Sequence, residues 1–549
     1  MILQVARSRS YEPGLNIEGD QEAGAWLFLL PSLELRRVVA VGSVPRGTRV
    51  ALSALGAAVE EAPPRSPAPS LEDRADLVYV AADQAPRLCR DQEALAALGG
   101  QIDAGCSVYV SVAGRRGHAV QRLLRALGIS TAVHVRGLGV EPAVVRECAE
   151  PSAWLVPTIA PETSGRAIRV VRRLARRLRR ARPRGPSPER LLAVSSIVRA
   201  PAKPRPGDGV LIRARRSAPA LLPPYLASVA LRAGRDLEGA TWALAPPRGY
   251  RSQKVVFHLP ERGEIVKVTQ DPAFNRSLQA EYDALVALDV WARSHPGVAP
   301  RALFSGEHAG LLVVGESRLE GAPFRRCSDG TPTCPRAQAT LDTLLELADA
   351  GSREYPASEA AEALAALVET YVRVYGPPSA QAHALERHVE LVADSGPSFV
   401  TAFSHGDPTT HNVIVHPTGG IGLVDWENAE PQGMPLWDLV RFLNAYGSWS
   451  ASLAGRRWTV SLACASLFEA SPLHDLLGRS VARYRARAGL PAELVPPLVL
   501  TCLVADALRQ ATRLPPGATS RSAAARMLAR LTSAGGHPGL QALGRVSGQ

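Results

Sequence analysis

The chain has 549 residues, of which 46% are hydrophobic, and it carries a formal net charge of +12. This length predicts two or three domains, because single hydrophobic cores rarely grow beyond about 250–300 residues. The hydrophobic fraction excludes wholesale disorder. The positive charge is compatible with nucleic acid, an anionic membrane surface or acidic metabolites as partners. The seven cysteines include no CxxC pair, which argues against a zinc site and predicts reduced thiols.

The first residues, MILQVARSRSYEPG, contain no apolar signal core. The longest apolar run near the end, LVPPLVLTCLVADAL, is too short to span a bilayer. We therefore expect a cytoplasmic protein. Arginine and alanine are common and lysine is scarce, which is typical of a GC-rich genome and indicates a bacterial source.

Short apolar runs alternate with helix-like segments from about residue 25 to residue 159. The runs RRVVAVG, DLVYVAA and CSVYVSVAG predict buried strands, and PRGTRVALSALG after the first run predicts a turn and a helix. Buried strands separated by helices indicate a parallel sheet covered on both faces. We therefore predict an α/β, Rossmann-like domain over residues 1–160.

The segment GRAIRVVRRLARRLRRARPRG has apolar residues at helical spacing and arginine at the other positions. We interpret 161–205 as a basic amphipathic helix followed by a proline-rich linker. Two interpretations stay open for the helix at 166–184, a solvated connector and a peripheral contact with an anionic membrane. Nucleic acid is not expected, because no aromatic residues are interleaved to stack on bases.

The remaining residues, 206–549, read as two lobes. TWALAPP, KVVFHLP and EIVKVT predict three strands, with a hairpin turn at ERGE, and GLLVVGE predicts another. A helix is predicted from Asp271 and Pro272 onwards, and most segments after Gln338 are helical. A small sheet with one helix (206–318), followed by a helical part (319–549), indicates an α+β bilobal domain with a cleft.

One polar stretch, FSHGDPTTHNVIVHPTGGIGLVDWENAEPQG, lies among apolar, strand-like residues. Asp407 and Asn412 have D-x4-N spacing, and a hairpin that turns at Gly419-Gly420 would return Asp425 to face Asn412. Phosphoryl transfer from ATP needs a carboxylate near the acceptor hydroxyl and oxygen ligands for Mg²⁺ on the phosphates. The pattern therefore predicts a base and two metal ligands on one loop.

The motifs HGDPTTHN and VDWE resemble those of the aminoglycoside phosphotransferase and choline kinase group, which has the protein-kinase-like fold. The sequence follows this small-molecule branch, because it has His-Gly-Asp where protein kinases have His-Arg-Asp. The resemblance implies that Asp407 is the catalytic base or orients the acceptor hydroxyl, and that Asn412 and Asp425 bind Mg²⁺. It also implies that His405 braces the loop and that Asp438 ties the loop to the following helix.

The same resemblance implies a site for ATP in the small lobe. Lys267, in the apolar strand EIVKVT, and Glu281, in the next helix, would form the ion pair that holds the ATP phosphates. The segment LLVVGESRLEG resembles the one that joins the lobes, which implies that backbone groups from Glu316 to Arg318 meet the adenine.

The loop that should cover the phosphates, PPRGYRSQ, has a single glycine, Gly249, and lacks G-x-G-x-x-G. The groups that clamp the phosphates stay open. Ser252, Arg248, Arg251 and a backbone N–H are the alternatives.

The stretch VVAVGSVPRGTRVALSALGAAVEEA resembles the opening of class I S-adenosylmethionine-dependent methyltransferases. The glycine turn is reduced to Gly42 and Gly47 with Val and Pro between them, which hinders close approach of the backbone to a cofactor. Only Glu60 or Glu61 is available to hold the ribose. We interpret this domain as degenerate, and both a Rossmann-like fold without cofactor and active methyl transfer stay open.

The predicted activity moves the γ-phosphoryl group of ATP, with Mg²⁺, to a hydroxyl of a small molecule such as a sugar, an amino alcohol or an aminoglycoside. The alternatives are a nucleotide-binding pseudo-kinase scaffold in polysaccharide or lipid assembly, and a bifunctional methyltransferase-kinase. The helices after Pro435 lack the acidic patch expected for a cationic aminoglycoside, which favours a sugar or an anionic metabolite. The sequence does not set the oligomeric state.

Overall fold

The structure, a computed structural model, describes residues 26–62, 74–111, 117–129, 133–135, 146–147, 209–212, 222–244, 254–512, 514, 517–533 and 537–545. The basic segment 166–184 and the loop 246–253, with its candidate phosphate-clamping residues, lie outside the described residues. The chain divides into two compact units. Of the described residues, the first holds those from 26 to 262 together with 307–311, and the second holds 263–306 and those from 312 onwards.

The first unit combines short helices with strands, and its first seven strands along the described chain form one sheet. Its strands are β1 (Arg37–Val41), β2 (Ala58–Ala62), β3 (Leu77–Val80), β4 (Ser107–Ser111), β5 (Val133–Val135), β6 (Arg146–Glu147), β7 (Gly209–Ile212), β8 (Ala243–Leu244) and β9 (Lys254–Leu259). Its helices are α1 (Arg46–Ala54), α2 (Ala85–Leu88), α3 (Gln92–Asp103), α4 (Gly117–Ala126) and α5 (Pro224–Arg232).

Four neighbouring strands of this unit, in the order β2-β1-β3-β4, are parallel. The strands β3 and β4 are buried along nearly their whole length, as apolar strands covered on both faces must be. Val39, Val78 and Val108 pack in one core with Leu98 and Leu123 from the helices. A parallel sheet with intervening helices fits the predicted α/β class, and it is the part of the Rossmann-like prediction that the fold supports.

The strand β7 changes the predicted division of the chain. The sequence places residues 206–318 in a small lobe, but Gly209–Ile212 pairs antiparallel with β4 on one side and with β5 on the other. The apolar sequence GVLI satisfies the backbone N–H and C=O groups along that side of β4, which a buried strand requires. Helix α5 also packs in this unit, where the Tyr225 hydroxyl donates to the Phe28 carbonyl at 3.1 Å.

The second unit contains the remaining elements. Its strands are β10 (Glu264–Thr269), β11 (Ala302–His308), β12 (Leu311–Ser317), β13 (Ala322–Pro323), β14 (Glu354–Pro356), β15 (Ser398–Val400), β16 (Ala402–Ser404), β17 (Val413–Val415), β18 (Ile421–Leu423) and β19 (Glu430–Gly433). Its helices are α6 (Asn275–Ser294), α7 (Phe324–Cys327), α8 (Pro335–Ala350), α9 (Ala357–Tyr375), α10 (Ser379–Ala393), α11 (Trp437–Leu453), α12 (Val460–Phe468), α13 (Pro472–Ala488), α14 (Val495–Ala511), α15 (Ala523–Leu531) and α16 (Pro538–Arg545).

In this unit a small sheet and one helix precede a larger helical part, as the sequence predicts. Strand β12 lies between β10 and β11 and pairs antiparallel with β10, with Lys267 opposite Val314. The helices share one apolar core, which includes Leu345, Leu364, Leu443 and Leu503. Among the described residues, no helix is both long enough and apolar enough to cross a membrane.

Candidate active site

Lys267 is buried in β10, and only 5% of its surface is exposed. Its Nζ lies 2.7 Å from Oε1 of Glu281, in the middle of α6, and 2.6 Å from Oε1 of Glu316 on β12. Both carboxylates are buried. The attraction between the ammonium and the carboxylates therefore replaces the hydration that these charges lose on burial. The structure therefore brings Lys267 and Glu281 together, as the resemblance implies, and adds a second carboxylate, Glu316, as a partner of the lysine.

Glu281 also reaches the loop that contains Asp425. Its Oε1 accepts a hydrogen bond from the backbone N–H of Trp426 at 3.2 Å, and Trp426 is fully buried. Asp425 has a φ of 72°, in the left-handed region that non-glycine residues seldom adopt. Such conformations concentrate at functional sites, where surrounding contacts enforce them. One carboxylate thus connects the lysine of the small sheet to the backbone beside Asp425.

Strands β17 and β18 form the predicted hairpin, with Val413 opposite Leu423. Beyond this pair the Val424 N–H donates to the Asn412 carbonyl at 2.9 Å, so Asn412 and Asp425 lie at the same open end of the hairpin. The Asn412 side-chain amide donates to the Asp407 backbone carbonyl at 3.0 Å and to Asp407 Oδ2 at 3.3 Å. The hairpin therefore brings all three predicted polar residues to one place.

His405 and Asp438 hold the residues that precede Asp407. Nδ1 of the fully buried His405 accepts from the Asp407 N–H at 3.3 Å, so its Nε2 carries the proton and donates to the Val424 carbonyl at 3.1 Å. The Asp438 carboxylate accepts from the Ser404 hydroxyl at 2.9 Å, the His405 N–H at 2.6 Å and the Gly406 N–H at 3.0 Å. These contacts lie where the resemblance implies supporting roles for both residues.

An ionic cluster under the same loop was not found by sequence reasoning. Arg509 on α14 donates to the Gly406 carbonyl at 2.6 Å and to Asp506 Oδ1 at 2.5 Å. Arg441 on α11 donates to the same Asp506 oxygen at 3.0 Å. Burial alone would raise the pKa of the Asp506 carboxyl, but Arg441 and Arg509 lower that pKa below its usual range. The only signal in the sequence is an Asp and an Arg three residues apart in an otherwise apolar helix.

Arg325 approaches the loop from another side. Its Nε donates to the Thr410 hydroxyl at 2.9 Å, and its guanidinium lies 4.9 Å from the ring centre of Trp449. Thr410 lies between Asp407 and Asn412 in the sequence. A cation held by a hydrogen bond and an aromatic face is therefore fixed next to the proposed catalytic loop.

Two backbone donors of the segment predicted to meet the adenine, Glu316 to Arg318, have partners within the protein, and the adenine contact stays a prediction. The Ser317 N–H donates to the Arg301 carbonyl at 2.9 Å, and the Arg318 N–H donates to the Gly263 carbonyl at 2.8 Å. Both donors are thus engaged by carbonyl groups just outside the neighbouring strands. The Glu316 side chain serves the lysine cluster, which backbone recognition by analogy could not predict.

In the first unit, side chains of the protein occupy the space beside Gly42, in the glycine turn. Gly42 has a φ of 94°, and a Cβ there would lie 2.7 Å from the Ala81 Cβ and 2.8 Å from the Gln84 Cγ. Gly47 is buried in α1.

The two candidate acids for the ribose are also engaged. Both carboxylate oxygens of Glu60 accept from Arg37, at 3.1 and 3.0 Å, and Glu61 forms an ion pair with Arg49. Arginines of the same unit thus hold both carboxylates that the resemblance assigns to a cofactor.

The second unit also has a cavity of about 650 Å³ that is separate from the residues described above. His295, Glu320, Glu346 and His416 are among its lining residues, whereas Lys267 and the three polar loop residues are not. It therefore does not coincide with the candidate active site.

Three solved structures illustrate what the chain is similar to. Aminoglycoside phosphotransferase APH(3'')-Id from Streptomyces rimosus is 19% identical, with 46% of this chain and 96% of that chain covered and a TM-score of 0.28. A choline/ethanolamine kinase family protein from Mesorhizobium loti is 17% identical (58% and 98% covered, TM-score 0.34). Choline kinase LicA from Streptococcus pneumoniae is 16% identical (52% and 93% covered, TM-score 0.34).

No curated protein matches the chain significantly. Residues 242–466 match the phosphotransferase enzyme family APH. This segment includes Lys267, both of its carboxylate partners and the whole polar loop. The match to the APH phosphotransferase family thus covers the segment in which the sequence motifs predict a kinase-like site.

Proposed function

We propose that this domain transfers the γ-phosphoryl group of ATP to a hydroxyl of a small molecule, with Mg²⁺. The observation that carries the proposal is one continuous set of contacts. Lys267 binds Glu281, Glu281 binds the backbone beside Asp425, and the hairpin places Asp425 at the same end as Asn412, which holds Asp407. Phosphoryl transfer needs a cation on the phosphates, metal ligands and a carboxylate at the acceptor, all fixed relative to one another.

The donor set fits Mg²⁺. The Asn412 amide nitrogen is directed at Asp407, which leaves the Asn412 Oδ1 as the oxygen that would face a metal. Together with the Asp425 carboxylate it would supply two hard oxygen ligands, and phosphate oxygens and water would complete the octahedral shell that Mg²⁺ prefers. When bound, the ion would neutralise charge on the phosphates.

Asp407 would accept or orient the proton of the acceptor hydroxyl. Its carboxylate is held by Asn412, and the backbone of its loop is fixed by His405 and Asp438. Groups that are already held in position stabilise a transition state without having to reorganise during the reaction. Lys267 would stabilise negative charge on the ATP phosphates.

The acceptor is proposed to be a sugar or an anionic metabolite rather than a cationic aminoglycoside. The fixed cation of Arg325 lies beside the loop that contains Asp407. A polycationic acceptor would be repelled by this charge, whereas a carboxylate or phosphate on the acceptor would be attracted.

ATP turnover with a panel of sugar phosphates, hydroxy acids, amino alcohols and aminoglycosides tests the proposal. We expect Mg²⁺-dependent product with at least one acceptor, and a loss on the order of 10²–10⁴-fold in Asp407→Ala, as is typical when a general base is removed. Asp394→Ala, an exposed acidic residue at the end of α10, is the control. Equal turnover by Asp407→Ala and the wild type would contradict the proposal.

The scaffold alternative also has a supporting observation, because two carboxylates hold the lysine that should serve the phosphates. ATP binding without product for every acceptor would favour it. The bifunctional alternative is disfavoured, because the glycine turn is packed and Glu60 is bound to Arg37. Heat on titration with S-adenosylmethionine would revive it.

A further inference from the structure

Glu316 makes the charge balance around Lys267 unusual. The ammonium is 2.6 Å from Glu316 and 2.7 Å from Glu281, and all three side chains are at most 7% exposed. One ammonium group thus contacts two buried carboxylates. A buried ion pair needs one counter-charge, so the second carboxylate is more than the pairing of Lys267 requires.

The two carboxylates are held differently. Glu281 projects from α6 and is fixed by the N–H of Trp426, so it couples the lysine to the Asp425 loop. Glu316 projects from β12, the strand next to β10. Lys267 lies opposite Val314, and Glu316 follows Val314 by two residues. An ammonium group has three donors, and Glu316 occupies one that a phosphate oxygen of ATP would otherwise take.

We propose that Glu316 competes with the phosphates of the nucleotide for Lys267. This inference rests on the proposed function. When a triphosphate binds, the ammonium leaves Glu316 for a phosphate oxygen and keeps Glu281. Glu316 thereby weakens the binding of polyphosphates in two ways, because it holds their cation and because its own charge repels theirs. Binding of the uncharged nucleoside does not involve this exchange.

The variant Glu316→Gln separates this role from a structural one, since glutamine keeps the size and hydrogen-bonding capacity of the side chain and removes its charge. Dissociation constants for Mg·ATP, Mg·ADP and adenosine would be measured by calorimetry on the full-length chain. We expect Glu316→Gln to bind ATP roughly tenfold more tightly, with adenosine unchanged, because only the charged ligand gains from the loss of repulsion. Glu281→Gln is the matched control, and it should bind ATP more weakly than the wild type.

Each other outcome overturns the inference. Unchanged or weaker ATP binding in Glu316→Gln would mean that Glu316 supports Lys267 as Glu281 does. Equal tightening for ATP and adenosine would mean that the substitution reshapes the site. If neither the wild type nor the variants bind any nucleotide, the proposed function fails and this inference fails with it, whereas ATP binding of equal strength removes this inference alone.

A second variant guards against misfolding of Glu316→Gln. Glu316→Asp keeps the charge and withdraws it by one methylene group, so its ratio of ATP affinity to adenosine affinity should lie between those of the wild type and Glu316→Gln. A ratio for Glu316→Asp equal to that of the wild type, with the protein folded by circular dichroism, would contradict the competition between carboxylate and phosphate.

Discussion

In the proposed site, Asn412 would both bind the metal and orient the carboxylate of Asp407. Its amide nitrogen donates to the Asp407 backbone carbonyl and to the Asp407 carboxylate, and its backbone carbonyl accepts from Val424. The first pair of contacts orients the carboxylate that would meet the acceptor. The contact with Val424 fixes Asn412 relative to strand β18, which leads to Asp425.

The variant Asn412→Asp tests this dual role. It keeps an oxygen ligand for Mg²⁺ but replaces the donor amide with a carboxylate, which would repel Asp407 at about 3 Å instead of binding it. We expect kcat to fall at least tenfold, with Mg²⁺ dependence retained, which steady-state kinetics over a range of Mg²⁺ concentrations would measure. An unchanged kcat would show that orientation of Asp407 by the amide is not needed.

The sequence supplied the residues of this site but not all of their contacts. Asp407, Asn412 and Asp425 could be placed because a short hairpin brings them together, and Lys267 because a lysine in an apolar strand needs a reason. The second carboxylate, Glu316, could not be placed. Its contact with Lys267 depends on the register of two strands that lie more than forty residues apart in the sequence.

Helix α14 contacts the proposed catalytic loop. It lies beyond residues 242–466, the segment that matches the phosphotransferase family, yet Arg509 on this helix donates to the Gly406 carbonyl. Gly406 has a φ of 78°, and a Cβ there would lie 1.9 Å from the Asn428 carbonyl oxygen, so only glycine fits this turn. An arginine from outside the matched segment therefore holds the most constrained turn of the loop.

We predict that Arg509→Lys lowers kcat several-fold and changes the KM for ATP little. Lysine keeps the charge but cannot bind Gly406 and Asp506 at once with the geometry of a guanidinium. Steady-state kinetics of Arg509→Lys beside Arg526→Lys, an exposed arginine on α15, would separate loss of the loop contact from a general effect of the substitution. A parallel rise in the KM for ATP would point to a distorted nucleotide site instead.

Asp506 should make the helical part sensitive to acid. Its pKa in the folded protein is below the ordinary value of 3.8, so its stabilising effect is present above that value and is lost as the pH falls through the lower folded pKa. Asp506→Asn would leave Arg441 and Arg509 without this partner, at a cost of about 3 kcal/mol near neutral pH.

Thermal unfolding from pH 7 to pH 3 would test the sign of this effect. We expect Asp506→Asn to have the lower Tm at pH 7, and the difference from the wild type to narrow as the pH falls below 4. A constant difference across this range would mean that the Asp506 charge is not what stabilises the cluster.

Elements with a strong local pattern could be predicted, and those defined by distant partners could not. The strands β10 and β12 and the helix α6 have clear periodicity and start signals, and all three are present. The strand β11, with the sequence ALFSGEH, was missed because most of its residues are only partly buried. The strand β7 pairs with β4, which ends nearly a hundred residues earlier, so no local pattern indicates this partner.

At the scale of the whole molecule, the two compact units do not follow the order of the sequence. Of the described residues, the first unit takes those from 26 to 262 and also 307–311, whereas the sequence predicts a boundary at 206. After β4 the chain forms β5 and β6, and β7, which follows the proline-rich segment, pairs between β4 and β5 in the same sheet. The N-terminal sheet is therefore finished only by residues that sequence reasoning gives to the kinase-like part.

Hydrogen exchange on the full chain would decide between these two divisions. If β7 is inserted between β4 and β5, the amides of Val210 and Leu211 are hydrogen-bonded in the interior of the sheet, and they should exchange as slowly as those of Val108 and Val110. If residues 209–212 were an extended linker at the start of a small lobe, these amides would exchange within seconds. Slow exchange at β4 combined with fast exchange at β7 would restore the boundary at 206 and leave β4 with an open edge.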